Sequence, residues 1–298
     1  VSIEAKIICD STNDLDTRLT TWLLRYPRFI HAELMTHRMF SRNASSSRAI
    51  PVKTQLERIE GDPAMFVEWG ANKAGMQSTE LLSPDGETRA NKLWLDGMKQ
   101  MVALSREMAA LNVHKQIVNR IAEPWSHISV VLTGTEFANF FSLRHHPDAQ
   151  PEFRVLAEVM APLYRARVPE HLAAGEWHLP FVTADEHADT SVEILLKVSV
   201  ARCARVSYLK HDGAKASIDE ELKLFDRLAA GKPLHASPTE HQGTPFHLVN
   251  DIMQDSKWGY PYDTKWQDPV PWSGNLRGWF QYRQSLKNQN ITTFPWSA

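Results

Sequence analysis

The chain has 298 residues, 43% of them hydrophobic and 23% charged, with a formal net charge of -2. That length supports one large domain or two closely packed lobes, and the near-neutral balance gives no general reason to bind a long polyanion. Apolar runs all fall short of the ~20 residues of a membrane span, and two cysteines, Cys9 and Cys203, are too few for a disulfide framework. With no visible signal peptide, these features predict a cytoplasmic protein that engages neither membrane nor nucleic acid.

Ala5–Cys9 predicts an opening strand. Arg18–Ile30 mixes β-branched and aromatic residues around a break at Pro27, which predicts a strand running into a helix. Phe29, Ile30, Leu34 and Met35 extend that helix over Phe29–Phe40, and the serine-rich tract ending near Pro51 predicts a loop. Residues 60–86, rich in Gly, Pro and polar residues, predict a long surface loop. Glu87–Leu111 is the clearest helix, with Trp94, Met98, Met101, Val102 and Met108 in an apolar stripe that reads as core packing.

Ile128–Leu132 predicts a strand, and Thr133-x-x-Glu136 has the form of a capping box opening a helix over Glu136–Arg144. Pro151 suits a first helical turn, with Phe153, Leu156, Val159, Met160 and Leu163 as the buried stripe that follows. Pro169–Ala188 reads as a crossing segment, and Val192–Ser207 alternates enough to predict one or two strands. Ser217-x-x-Glu220 is a second capping box, with Leu222, Phe225 and Leu228 as its helix's buried face and Gly231 as its stop. Residues 232–272 have no regular period, and Ser273–Lys287 predicts a last helix. The pattern is that of an α+β protein.

Four stretches carry residues suited to chemistry. Thr36–Arg48 gathers His37, Arg38, Arg42, Asn43, Ser45, Ser46, Ser47 and Arg48; fixed cations with hydroxyls and open backbone NH groups suit a phosphate. The plain alternative is a solvated serine-rich loop. Thr135–Gln150 carries Asn139 and Arg144, which alone would pass as surface polar residues. His145 and His146 point about 100° apart on a helix and have no further ligands at useful spacing, so no metal is assigned.

The third stretch joins Ala204-Arg205-Val206-Ser207-Tyr208 to His235-Ala236-Ser237-Pro238-Thr239-Glu240-His241. His235, Glu240 and His241 admit a zinc site, against which stand the intervening serine and proline and the lack of a clear fourth ligand. The fourth is Asn275-Leu276-Arg277-Gly278-Trp279-Phe280-Gln281-Tyr282-Arg283, where Trp279, Phe280 and Tyr282 fit a core equally well. Neither cysteine sits beside a residue that would activate a thiol.

These stretches resemble the flavin-dependent thymidylate synthases. That family carries Arg-His-Arg followed by spaced Ser, Asn, Ser and Arg, and His37, Arg38, Ser41, Asn43, Ser46 and Arg48 fall in register with it. Asn139-Phe140-Phe141-Ser142-Leu143-Arg144 with Asp148-Ala149-Gln150 is similar to the family's Asn-Phe-Leu-x-Leu-Arg…His-Ala-Gln. Ala204–Ser207, an intervening helix and His235–His241 match Ala-Arg-Val-Ser and His-x-Ser/Thr-Pro-Phe-Glu-His, with Thr239 in place of the aromatic residue. Asn275-Leu276-Arg277 looks like the family's Asn-x-Arg helix. In the common form the third of these segments precedes the first; here it follows it, so the chain resembles a rearranged or circularly permuted member of the phage-encoded kind.

The resemblance implies one thymidylate synthase-like domain over 1–298, an α+β fold with a mixed sheet flanked by helices and its segments in permuted order. Its N-terminal part (1–168) carries the His-Arg-x-x-Ser motif and its C-terminal part (190–298) the His-x-Ser-Pro-x-Glu-His motif. It implies FAD as cofactor, with NADPH and methylenetetrahydrofolate as co-substrates for methylation of dUMP at C5. Arg144 and Ser46 are the implied catalytic residues; Arg48, Ser46, Ser47 and Arg144 bind nucleotide. His37, Arg38, Asn139, Ser207, Ser237, Glu240, Asn275 and Arg277 bind flavin. A homotetramer with shared sites, in the host cytoplasm if phage-encoded, is implied too.

The departures are Thr36 for the first arginine, Ala44 for an acidic residue, Asp148 for a flavin-contacting histidine and Thr135 for an arginine that Arg277 could replace. Glu33 stands where a glutamine often lies near the phosphate, and its carboxylate would repel phosphate unless paired with Arg38 or Arg48. These changes motivate an alternative product, 5-hydroxymethyl-dUMP. A non-catalytic nucleotide- or RNA-binding protein on the same scaffold is the alternative from another class, supported by Arg38, Arg42 and Arg48.

Overall fold

The structure is a computed structural model that describes residues 2–75, 78, 80–206, 216–229, 234–246, 270–287 and 289–290. Ser207, Tyr208 and Gly231 lie outside the described residues. A five-stranded mixed sheet forms the centre, in the order β3-β4-β2-β1-β5. Its strands are β1 (Glu4–Thr12), β2 (Arg18–Pro27), β3 (Ser41–Ala44), β4 (His127–Gly134) and β5 (Glu170–His171). Neighbours are antiparallel except for β5, which runs parallel to β1.

Alternation along the strands sorts side chains onto two faces. Trp22, Leu24 and Tyr26 of β2 share one face with Ile128, Val130 and Leu132 of β4. Against it pack α1 (His31–Met35), α5 (Phe137–Arg144) and α6 (Pro151–Ala166), through Leu34, Phe137, Phe140, Phe153, Leu156 and Met160. The register of β1 against β2 shifts between Ile7 and Cys9, so Ile7 faces this apolar layer while Cys9 and Ser11 face the other side.

A satellite layer forms from α2 (Val52–Gly61), α3 (Pro84–Ala110) and α4 (Lys115–Ile121). Ser83 caps α3 at Gly86 and Pro84 occupies its first turn. Met98 and Val102 bury against Leu56, Ile59, Ala122 and Trp125, with Trp94 and Met101 packed alongside, so the expected methionine stripe is core.

On the other face of the sheet lie α7 (Ala184–Asp189), α8 (Val192–Ala204), α9 (Ile218–Ala229), and the short strands β6 (Gly243–Pro245), β7 (Trp272–Ser273), β8 (Leu276–Arg277) and β9 (Trp279–Gln281). β6 pairs with β9, and β7 with β8. Ser217 and Glu220 form the expected reciprocal cap of α9, and a matching cap at Thr183 and Glu186 opens α7.

Several local expectations are corrected. Val192–Ala204 is helical, not strand: Leu195, Leu196, Val198, Val200, Ala201 and Cys203 are all buried, and a helix buried all round shows no one-sided stripe. Ser273–Lys287 is a run of short strands ending in a 3-10 turn at Tyr282–Ser285, because Gly274 and Gly278 take positive φ angles of 60° and 78° and turn the chain there. Asn275 and Arg277 therefore sit on a hairpin. The helix predicted over Phe29–Phe40 stops at Met35, and the serine-rich tract begins with strand β3. Thr133 remains in β4, and Glu136 precedes α5 without a side-chain cap.

Candidate active site

The Thr36–Arg48 stretch is drawn out across the sheet edge. His37 and Arg38 lie in the turn after α1, Ser41–Ala44 pair with β4, and Ser46–Arg48 lie beyond the far end of β3. Four strand residues at ~3.4 Å each put roughly 14 Å between its two cationic ends. Arg42 secures the first turn by donating to the carbonyls of Met35 and His37, both at 3.1 Å.

α5 delivers Arg144 to this turn. Its Nε–H donates to His37 Nε2 at 2.8 Å, and Nη2 donates to Thr36 Oγ1 at 3.3 Å. The guanidinium carbon lies 4.8 Å from the centre of the Phe153 ring. Because His37 Nε2 accepts, its proton resides on Nδ1 and the ring is neutral. Burial, then the cations of Arg144 and Arg42, push its pKa down to about 4. His37 also stacks on Phe40 and Phe153 and meets Phe140 edge-on. Burial lowers the pKa of Arg144, and the Glu33 carboxylate opposes that shift.

Other implied residues take two kinds of position. Arg38, Arg48 and Asn139 are exposed, and their side chains make no hydrogen bond or ion pair among the described residues. Ser46 is half-buried, whereas Ser47 is buried, donates to Glu123, and through its carbonyl accepts from Asn119 Nδ2 at 2.7 Å. Ser237 opens the 3-10 turn Ser237–Glu240.

The C-terminal motif meets the N-terminal one at Ser41. Ser41 Oγ donates to Asn275 Oδ1 at 3.0 Å, and Asn275 Nδ2 donates to the Met39 carbonyl at 3.1 Å. Gln281 Nε2 donates to Asn275 Oδ1 at 2.8 Å and to the Glu240 carbonyl at 3.1 Å. Glu240 pairs with Arg283, and Arg277 Nε with Glu136 Oε1 at 3.0 Å. Asn275, Glu240 and Arg277 thus contact protein partners that bind distant segments together.

Behind this junction runs a buried polar seam that sequence reasoning missed. Ser11 Oγ bonds His178 Nδ1 at 2.9 Å, and His178 Nε2 bonds Thr21 Oγ1 at 2.8 Å. Thr21 Oγ1 bonds Thr133 Oγ1 at 2.7 Å, which bonds His241 Nδ1 at 2.8 Å. Both histidines are fully buried, and burial pushes each pKa down to about 3. His241 is thereby committed to Thr133 while His235 is exposed, so the zinc reading does not find its ligands together. His178 stands in the segment expected only to cross the molecule, where nothing nearby marks it out.

A cavity of about 660 Å³ opens at the far end of β3, beside Ser45, Ala49, Arg25, Arg58 and His127. Burial and the Arg25 cation push the His127 pKa down to about 4. Among the described residues no helix is long and apolar enough to cross a membrane.

Comparison with known proteins follows the same half of the chain. The family described as "Thymidylate synthase complementing protein" matches residues 16–170, just over half of the sequence. Among solved structures, the UMP/dUMP methylase PolB from Streptomyces cacaoi bound with 5-Br UMP aligns at 18% identity and a TM-score of 0.44. That alignment covers 55% of this chain and 89% of the other. The same protein bound with 5-Br dUMP aligns at 16% identity and a TM-score of 0.42, covering 55% and 91%. A search of curated protein sequences finds no match. The match over residues 16–170 takes in β2, the Thr36–Arg48 stretch, β4 and α5 with Arg144; the chain belongs to the thymidylate synthase complementing protein family and is an enzyme of the thymidylate synthase type.

Proposed function

We propose that this chain methylates dUMP at C5, with FAD as cofactor, methylenetetrahydrofolate as carbon donor and NADPH as reductant. The observation that carries this reading is the seating of Arg144 on neutral His37, which joins two family motifs 107 residues apart. Held by His37, Thr36 and the Phe153 face, the guanidinium has a fixed orientation and keeps Nη1 for a ligand. A permanent cation there stabilises negative charge developing on a uracil carbonyl oxygen. Ser46 and Arg48, at the other end of β3, take the nucleotide phosphate, while Ser47 anchors the turn that carries them.

The residues fit a flavin. Arg38, Asn139 and Ser237 present polar groups with no hydrogen bond or ion pair among the described residues, and these would hold it together with His37. Glu240, Asn275 and Arg277 would shape its site through the contacts they make with Arg283, Ser41 and Glu136. The bound flavin supplies the reducing electrons. The Ser41–Asn275 contact supports a permuted single domain, with its C-terminal motif completing the N-terminal one. A homotetramer with shared sites belongs to the same reading.

Purified protein is expected to be yellow and to release flavin on denaturation; a colourless preparation that FAD cannot reconstitute would sink the cofactor assignment. With FAD, NADPH, methylenetetrahydrofolate and dUMP, mass spectrometry should find dTMP. A hydroxymethyl product would favour the second reading, which the exposed Asp148 and the engagement of Thr36 by Arg144 support. Arg144→Ala is expected to lower turnover by about 100-fold or more while flavin stays bound; near-normal turnover would remove Arg144 from the chemistry.

A further inference from the structure

The cavity of about 660 Å³ at the far end of β3 has the size of a pocket that encloses a small organic molecule, about 300–1,000 Å³. The central sheet supplies one wall. Arg25 of β2 and Ser129 of β4 are cross-strand partners, and Ser45, just past β3, accepts the Ser129 N–H at 3.1 Å. Two residues further along each strand, on the same face, Leu23 and Val131 are covered by Cys203 and Val206. The sheet face thus turns from apolar to polar where the cavity opens.

α2 supplies another wall. Gln55, Arg58 and Ile59 recur at helical spacing and all line the cavity. Gln55 is only 3% exposed, yet its side-chain amide makes no hydrogen bond among the described residues. Unlike the orphaned His127 Nε2, its amide atoms are not sealed from solvent, and the cavity is where they reach it. A buried amide left unbonded beside a cavity is a donor and an acceptor waiting for a ligand.

Charge narrows the ligand. The Arg58 guanidinium is exposed and closes no ion pair among the described residues. Arg25 is already compensated, with Asp62 at 2.6 Å and Glu4 at 3.5 Å, and burial keeps His127 neutral near pH 7. Arg58 is then the uncompensated cation of this lining, with the Asp62 carboxylate also present. A carboxylate matches that single charge, whereas doubly charged phosphate would exceed it and be repelled by Asp62. Ile50, Ile59 and Val206 add an apolar surface.

We propose that this cavity binds an N-acyl amino acid, with its carboxylate on Arg58, its amide on Gln55 and its acyl part against Ile50, Ile59 and Val206. Identifying that ligand with the benzoyl-glutamate tail of the carbon donor rests on the function proposed above. Ser45 and Ala49 line the cavity and flank Ser46–Arg48, so the tail would lie beside the turn assigned to the nucleotide phosphate.

Calorimetry on the purified protein tests this with tetrahydrofolate, its analogue with both tail carboxylates capped as amides, dUMP and inorganic phosphate. Wild type should bind tetrahydrofolate about tenfold more tightly than the capped analogue. Arg58→Ala should erase that preference by weakening tetrahydrofolate alone. Gln55→Leu, which keeps the volume and removes the amide, should weaken both forms by about fivefold and leave the preference intact. Binding of dUMP should be unchanged in both variants, which also shows that they fold. If wild type prefers tetrahydrofolate and both variants bind both forms as wild type does, the cavity assignment is overturned while the proposed function stands. Loss of dUMP affinity in place of tetrahydrofolate affinity, or displacement of tetrahydrofolate by millimolar phosphate, overturns it too. A wild type that binds neither folate form loses the carbon donor of the proposed function, and this inference with it.

Discussion

On one face of the central sheet, Trp22, Val130 and Leu132 meet Phe137, Phe140 and Phe153 in an apolar layer that leaves the buried indole N–H of Trp22 without a partner among the described residues. On the other, Thr21 and Thr133 occupy the same kind of inward position but carry a hydrogen-bonded chain from Ser11 through His178 to His241. The apolar face is held by area and shape, which tolerate changes of acidity. The polar face is held by specific protonation states, which do not. The candidate site uses both: Arg144 and His37 rest on the aromatic layer, and the Glu240–Asn275 junction adjoins the polar seam.

Acid should therefore strike the polar face hardest. His178 and His241 have folded pKa values of about 3 against 6.5 for the free side chain. Between those values the unfolded chain binds more protons than the folded one, so stability falls as pH drops from about 6.5 toward 3. The slope is about 1.4 kcal/mol per pH unit for each histidine. His37 and His127 push in the same direction, over a narrower range because their folded pKa values of about 4 lie closer to the free value. Urea midpoints from pH 6 to 4 should show a slope that shallows by about 1.4 kcal/mol per unit in His178→Gln. An unchanged slope would mean that His178 is not the buried neutral group described here.

The apolar face should answer to volume instead. Phe137 is fully buried between Trp22, Phe40 and Tyr164. Phe137→Ala should cost about 3–5 kcal/mol, with no change in the pH slope. A cost below about 1 kcal/mol would show that α5 repacks freely and that Arg144 is not rigidly carried.

The same contrast explains what the sequence revealed. Apolar alternation and helical stripes located β1, β2, β4 and α6, because each buries one face against this layer, and α3, which buries its stripe in the satellite layer. The family motifs singled out Arg144, His37 and Ser41 as candidates, since each side chain type is tied to its neighbours by fixed spacing; the contacts they make, Arg144 with His37 and Ser41 with Asn275, are set by the fold. Two kinds of feature escaped. α8 is buried on all sides, so it has no stripe, and the glycine-turned strands after Ser273 are too short to show a period. His178 and Thr21 owe their importance to a contact 157 residues apart in the chain, which no local pattern encodes. Glu33 lies between: its departure from the family is legible in the sequence, but its buried, unmet oxygen arises only in the folded chain.

Within the polar face, bonds in series and bonds in parallel should behave differently. Thr133 is a link in series: Thr133→Val keeps the shape but leaves His241 Nδ1 without its partner, and His241 Nε2 already has none. That should cost about 1–3 kcal/mol, read as a drop in urea midpoint at neutral pH. Water able to reach His241 would reduce the loss to a few tenths of a kcal/mol and show that the seam is wetter than its burial implies.

Ser41 is a link in parallel and should show the smallest effect. Removing its hydroxyl by Ser41→Ala takes one donor from Asn275 Oδ1, yet Gln281 Nε2 still donates there at 2.8 Å. Asn275 Nδ2 keeps the Met39 carbonyl, and Gln281 keeps the Glu240 carbonyl. No buried group is orphaned, so the loss should be about 0.5 kcal/mol, the net value of one hydrogen bond in water. A loss as large as that of Thr133→Val would mean that Ser41 alone holds the C-terminal hairpin on β3. The junction between the two motifs would then be a single-point attachment, with the serial behaviour of the seam behind it.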